Sequence, residues 1–191
     1  MEKKFSVDWF SGNILKFNTL LDSLKGKENI HFLEIGSFEG RSSCFFYEKF
    51  IMNSPESTLT CVDTWEGSME HSQEQKDSIW DIFNSNIAEY SKDKFLVKRG
   101  FSSDVVRTLP KDYYDFIYID GSHTTKDVLE DAVLSFYTLK PGGITTFDDY
   151  QWSAYLDPLL NPKTGIDGFL VCYRNHIDIL ELGGQVSVRK K

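Results

Sequence analysis

The sequence is poor in cysteine, and its three are far apart: Cys44, Cys61 and Cys172. That spacing builds no CxxC zinc pair and no disulfide framework, and an odd count suits a reducing compartment. Long apolar runs are missing too. No window approaches the roughly 20 apolar residues of a membrane span. Met1-Glu2-Lys3-Lys4 leads into no apolar stretch of signal length. A cytoplasmic protein with no membrane partner is the expectation. Positive charge is scarce: 21 Lys and Arg against 29 Asp and Glu leave a formal net charge of −8. The one basic cluster is Arg189-Lys190-Lys191. A phosphate backbone would be repelled, so nucleic acid is not an expected partner. Repeats, low-complexity tracts and linker-like stretches are absent, and the 5 Pro and 13 Gly stand at boundaries.

What is present suits a folded domain. The 191 residues, 40% hydrophobic with 15 Phe and 9 Tyr, are enough for one sizeable core. A single domain over 1–191 is expected, with 1–27 as a helical extension and 28–191 as the core. Apolar spacing predicts helices over 14–24, 39–53, 73–90, 103–109, 125–139 and 168–176. Strands are predicted over 30–35, 58–63, 94–98, 114–120 and 144–148, with a terminal hairpin of 177–182 and 185–189. Pro141-Gly142-Gly143 reads as a turn, and 150–164 as irregular. Strands alternating with helices demand a mostly parallel sheet covered on both faces, an α/β three-layer Rossmann-like sandwich. The terminal hairpin adds an antiparallel edge.

Ligands in such sheets bind beyond the carboxyl ends of the strands. Strand one ends in Glu34-Ile35-Gly36-Ser37-Phe38-Glu39-Gly40-Arg41-Ser42. Its two glycines permit a tight turn before a helix whose first N–H groups can hold a polar ligand, or simply a turn. Phe38 stands where a second glycine of G-x-G-x-x-G would fall, which argues against a dinucleotide dehydrogenase. Strand two ends in Asp63. Its distance from the glycine loop is close to the ~20 residues at which an acid takes ribose hydroxyls; capping of the next segment is the alternative. Gly100 and Ser102 follow strand three, where they would approach an adenine or cap a short helix. Trp65, Tyr150 and Trp152 lie on loops at the same edge, as pocket wall or rim packing. His31 belongs to strand one, and His71 and His176 have no constellation around them.

Asp120-Gly121-Ser122-His123 ends strand four and Asp148-Asp149 ends strand five. Three carboxylates on one edge repel one another, which a hard divalent cation relieves; otherwise one or two of them cap helices. His123 stands beside them, placed to take a proton from a substrate hydroxyl or to serve the structure alone.

Glu34-x-Gly36-x-x-x-Gly40, Asp63, Asp120-Gly121-Ser122-His123 and Leu139-Lys140-Pro141-Gly142-Gly143, in this order, resemble the class I S-adenosylmethionine-dependent methyltransferases. The resemblance covers roughly residues 28–190. It is nearest to the macrocin and catechol O-methyltransferases, and implies a seven-stranded sheet with a reversed last strand. It implies a cofactor site of Glu34, Gly36, Ser37, Gly40, Ser42, Asp63, Trp65, Gly100, Ser102 and Asp120. It also implies magnesium on Asp120, Asp148 and Asp149. In the catechol enzymes a Lys three residues after the first Asp is the base; here His123 takes that place, with Asp120 as the other proton acceptor.

The expected reaction is methyl transfer to a hydroxyl of a sugar, diol or phenol. Recognition of that acceptor would come from residues 1–27, 65–75 and 150–165, or from a second copy of the chain. A methyltransferase without metal and a non-catalytic nucleotide-binding protein are the alternatives.

Overall fold

A computed structural model gives the fold and describes residues 3–68 and 71–191. The expected recognition segments 1–27 and 65–75 include residues 1–2 and 69–70, which lie outside the described residues. Seven strands form one sheet: β1 His31–Ile35, β2 Thr58–Asp63, β3 Phe95–Arg99, β4 Tyr114–Ile119, β5 Leu139–Phe147, β6 Ile177–Leu182 and β7 Val186–Lys190. Their order is β3-β2-β1-β4-β5-β7-β6. β1 to β5 pair in parallel; β7 runs antiparallel to both β5 and β6. The expected Rossmann-like sheet with a reversed C-terminal strand is therefore present.

The helices are α1 Ile14–Leu20, α2 Arg41–Phe46, α3 Gln73–Ile87, α4 Ser102–Val105, α5 Thr125–Thr138 and α6 Lys163–Tyr173. Local chemistry sets several starts. Ser72 and Gln75 form a reciprocal capping box at α3, and the Thr124 side chain accepts from the Asp127 N–H at α5. None of these helices is long and apolar enough to cross a membrane.

Strand residues alternate between two cores. Phe32, Leu59, Cys61, Phe116 and Tyr118 face one, together with α2 residue Phe46. Phe10, Phe17 and Leu21 bury themselves in the same core, so the N-terminal segment covers a sheet face. Leu33, Ile35, Val62, Ile117 and Ile119 face the other, against Val128, Ala132, Ile166 and Phe169. Burying each such side chain contributes roughly 1.5–3 kcal/mol.

Several elements differ from the sequence expectation, four of them instructively. The 14–24 helix ends at Leu20 and resumes as a 3-10 turn, Asp22–Leu24. The 39–53 helix starts after Gly40 and widens to π geometry over Tyr47–Ile51. Pro141-Gly142-Gly143 is not a turn ahead of β5. It lies within that strand, where the register jumps from Tyr114↔Leu139 to Phe116↔Ile144, as a bulge does. α6 starts at Lys163 rather than 168, because Gly165 lets it lie against α5: a Cβ there would stand 2.3 Å from the Thr125 carbonyl oxygen.

Candidate active site

Sheet hydrogen bonding runs on past the strand ends and carries the loops with it. The Gly36 N–H donates to Val62 O, Gly100 to Asp63, Asp120 to Ile35 and Asp148 to Ile119, all at 2.8–2.9 Å. The loops after β1, β2, β3, β4 and β5 thereby open on a single cavity of about 990 Å³. That is the upper end of the usual size for small-molecule sites.

Gly36 is indispensable to this arrangement. Its φ is +84°, and a Cβ there would lie 2.0 Å from the Asp120 carbonyl oxygen. The glycine loop is then tied down by Asp63. One oxygen of Asp63 accepts from the Ser37 and Phe38 N–H groups at 2.8 and 2.9 Å, and the other from Trp65 N–H at 2.7 Å. A carboxylate offers about four acceptor positions, so roughly one is left for a ligand hydroxyl. Asp63 therefore holds the loop and keeps an acceptor position open beside it.

Seven of the residues expected at a cofactor site line the cavity: Gly36, Ser37, Ser42, Asp63, Gly100, Ser102 and Asp120. Glu34, Gly40 and Trp65 do not line it; they stand behind it. Glu34 is fully buried and accepts from Ser37 Oγ at 2.8 Å, from Ser43 Oγ, and from Cys61 Sγ at 3.4 Å. Burial pushes its carboxyl above the usual carboxylate range. Gly40 starts α2 with φ +84°, and a Cβ there would meet the Phe83 ring at 3.0 Å. Trp65 turns inward against Trp80 and Phe83, while its indole N–H donates to Phe38 O at 3.0 Å.

The cavity wall formed by the β4 and β5 ends is acidic. Asp120 is held above its usual pKa chiefly by burial, then by the charges of Asp148 and Asp149; Asp148 is raised by burial and by Asp149. The Tyr118 hydroxyl contacts Asp148 and stands 3.1 Å from Asp120. It has one proton to give, so two ionised carboxylates against it are not both satisfied without a further proton or cation. Asp149 has φ 57°, a left-handed conformation rare for a non-glycine residue. That turn sends its Oδ2 to within 2.9 Å of His123 Nε2.

Ligand atoms of Asp120, His123 and Asp149 all lie within 4.8 Å of one another, as a divalent ion requires. Two of the expected set of Asp120, Asp148 and Asp149 belong to this cluster, and all three line the cavity. His123 joins the cluster, whereas one Asp148 oxygen contacts Tyr118 and the other accepts from Asp149 N–H at 2.8 Å. One nitrogen and two oxygens fit magnesium, manganese or another first-row cation.

Sequence reasoning missed other residues here. His71 does have a constellation: its ring stacks on Phe38 at 4.6 Å and on Trp9 at 6.0 Å, and its Nδ1 accepts from Ser68 N–H. All four line the cavity. Trp152, expected as pocket wall or rim packing, does line the cavity and packs 4.7 Å from His123. Tyr118 could have been found, because strand alternation puts it on the same side as Asp120, two residues on. His71 and Trp9 gave no such signal, since chain reversals bring them in from distant segments.

A family model described as a methyltransferase domain matches residues 33–150. An uncharacterized protein of Acanthamoeba polyphaga mimivirus is 30% identical over 142 residues, covering 71% of this chain. The chain spans 59% of the length of that relative. Among solved structures, an O-methyltransferase from Bacillus cereus in complex with SAH superimposes with a TM-score of 0.68 at 17% identity, over 97% of this chain and 84% of that one. The MycE methyltransferase of the mycinamycin biosynthetic pathway, in complex with Mg, SAH and mycinamycin VI, gives 0.63 at 16% identity. That match covers 96% of this chain and 50% of MycE. At such identities the two structures establish likeness of fold.

Proposed function

The chain belongs to the methyltransferase domain family, and from that premise we propose that it moves a methyl group from S-adenosylmethionine to a hydroxyl oxygen of a small molecule, with a divalent cation at the acidic wall of its cavity. One observation carries this reading: the glycine loop tied by Asp63 and the Asp120–His123–Asp149 cluster open on the same cavity. A cofactor held by the first would present its reactive group to an acceptor held by the second.

Bound S-adenosylmethionine would supply an electrophilic methyl group on a sulfonium. A cation would supply positive charge beside the acceptor oxygen, and Asp120, His123 and Asp149 are the residues to hold it. Gly36, Ser37 and Ser42 shape the wall on which the cofactor rests, and Asp63 offers its remaining acceptor position to a ribose hydroxyl. Oriented that way, the reactants need little beyond proton removal. With the cation in place, the acceptor proton goes to the oxygen of Asp120 that the cation leaves free; without it, to the ring nitrogen of His123 that does not face Asp149. Trp152 and the Trp9–Phe38–His71 stack close the cavity around the acceptor. Cys44, Cys61 and Cys172 are free thiols, in keeping with a reducing, cytoplasmic setting.

A second reading drops the cation. The 2.9 Å contact between His123 and Asp149 makes a base oriented by a carboxylate, sufficient for proton removal by itself.

The test is calorimetric titration of chelator-treated protein with S-adenosylhomocysteine. Micromolar binding supports the cofactor assignment. Turnover on sugar, diol and phenol acceptors, with and without magnesium, then separates the two readings. Folded protein that binds no S-adenosylhomocysteine overturns both and leaves a nucleotide-binding protein of another kind.

A further inference from the structure

Gln185 sits between the hairpin glycines, Gly183 and Gly184, and the first residue of β7, Val186. It is 3% exposed, and neither its amide nitrogen nor its amide oxygen has a hydrogen-bond partner among the described residues. A buried carboxamide in that state is costly and rarely kept without use. Strand register says what stands next to it. Thr146 pairs with Ser187 and Phe147 with Val186, so the next pair across is Asp148 with Gln185. Phe147 and Val186 both bury themselves in the core shared with Ile117. Alternation therefore turns Asp148 and Gln185 to the other side of the sheet, where the Thr146 and Ser187 hydroxyls meet at 2.9 Å and where Tyr118 stands.

Asp148 lines the cavity and Gln185 does not, so the amide faces a carboxylate of the site rather than a substrate. Burial and then Asp149 raise the Asp148 pKa, while Tyr118 and Gln185 work against them. The amide is thus near enough for Asp148 to feel it, with no hydrogen bond formed. Tyr118 has the opposite difficulty. Its single proton faces two acceptors, in contact with Asp148 and 3.1 Å from Asp120 Oδ2. One donor stands idle beside a carboxylate that occupies the only proton of another.

Resting on the cation assignment above, we infer that Gln185 is a positioning residue for the cation site. In the empty site the Tyr118 hydroxyl serves Asp148. When a cation joins Asp120, His123 and Asp149, the Gln185 amide N–H donates to Asp148 in its place, and the Tyr118 hydroxyl turns to Asp120. A carboxylate has about four acceptor positions, so Asp120 has room for the hydroxyl, the cation and the acceptor proton. Gln185 thereby acts on the cation through Asp148, Tyr118 and Asp120, touching neither the ion nor a substrate.

The experiment measures Mn2+ binding by calorimetry on the full chain, wild type and variants, beside S-adenosylhomocysteine binding and the Tm of metal-free protein. Gln185→Met keeps the length of the side chain and removes both polar atoms. It should weaken Mn2+ binding about tenfold, as loss of a hydrogen bond to a charged group does. S-adenosylhomocysteine affinity should stay within about twofold, and the metal-free Tm should hold or rise, because a partnerless buried amide is gone. In a Tyr118→Phe background the same substitution should change Mn2+ affinity less than about twofold, since the two residues act as one unit. Gln185→Asn draws the amide back by one methylene and carries the test alone if the methionine variant does not fold. Unchanged Mn2+ affinity in folded Gln185 variants overturns the inference. So does a fall of Tm, Mn2+ affinity and S-adenosylhomocysteine affinity together, the mark of a purely structural side chain. Wild type that binds S-adenosylhomocysteine but no Mn2+ overturns the cation assignment itself, a result distinct from equal Mn2+ binding by wild type and variants.

Discussion

His123 Nε2 stands 2.9 Å from Asp149 Oδ2, and both side chains face Asp120 closely enough for one ion to touch all three. The same contact suits a metal site and a metal-free base, so metal removal is what separates the two. With a cation as the working element, Asp149→Asn should lower Mn2+ affinity at least tenfold in calorimetry, and exhaustive chelation should abolish turnover. Asp120→Ala should stop metal-dependent turnover while S-adenosylhomocysteine still binds. Full activity after chelation would leave His123 as an unaided base.

Gly36→Ala should be the most damaging small substitution in the glycine loop. The added methyl would enter the Asp120 carbonyl, in a backbone conformation that disfavours any side chain. A loss of more than about 2 kcal/mol is expected by urea unfolding. Affinity for S-adenosylhomocysteine should fall too, because the displaced loop is the one Asp63 ties. A variant as stable as wild type would show that the loop sits elsewhere.

Glu34→Gln and Glu34→Ala should part company. The buried carboxyl is pushed towards its neutral form, which the isosteric amide imitates, so a change within about 1 kcal/mol is expected for Gln. Ala would leave the Ser37, Ser43 and Cys61 donors without their acceptor and open a void, for about 3 kcal/mol or more. Equal losses in chemical denaturation would mean that Glu34 is needed as a charge.

Asp131 makes stability depend on pH in an unusual direction. Its pKa is about 7 folded against 3.8 for the free side chain. Between those values the native state holds more protons than the unfolded state, so this residue's contribution declines as pH rises from about 4 to 7 and stays low above. Shifts of this kind correspond to about 1.4 kcal/mol per unit. Asp131→Asn should therefore raise Tm relative to wild type at pH 8, with little gain at pH 4. A gain independent of pH would show that the carboxyl is already ionised throughout.

Asp63→Ala should cost stability even without any ligand. Three N–H groups, from Ser37, Phe38 and Trp65, lose a charged acceptor, at about 1.5–3 kcal/mol for each bond to a charged group that water cannot replace. Thermal unfolding of the ligand-free variant gives the measurement. An unchanged Tm would assign Asp63 to ligand binding alone.

The sequence by itself determined the sheet and the addresses of its chemistry. Apolar strands of five or six residues, alternating with amphipathic helices, leave few folds other than a covered parallel sheet, and Gly36, Asp63, Asp120 and Asp148 stand at strand ends whatever the packing does. Those are consequences of local periodicity, which a linear pattern records. Only the tertiary structure decided which way each side chain points once the strand has ended. Left-handed backbone at Asp149 and at Trp65 sends one carboxylate to His123 and one indole into the core. Tyr118, from inside β4, contacts Asp148, and α5 carries Asp131 under Gly121. Loop dihedrals and contacts between distant segments set those directions, and neither has a period along the chain that could be read in advance.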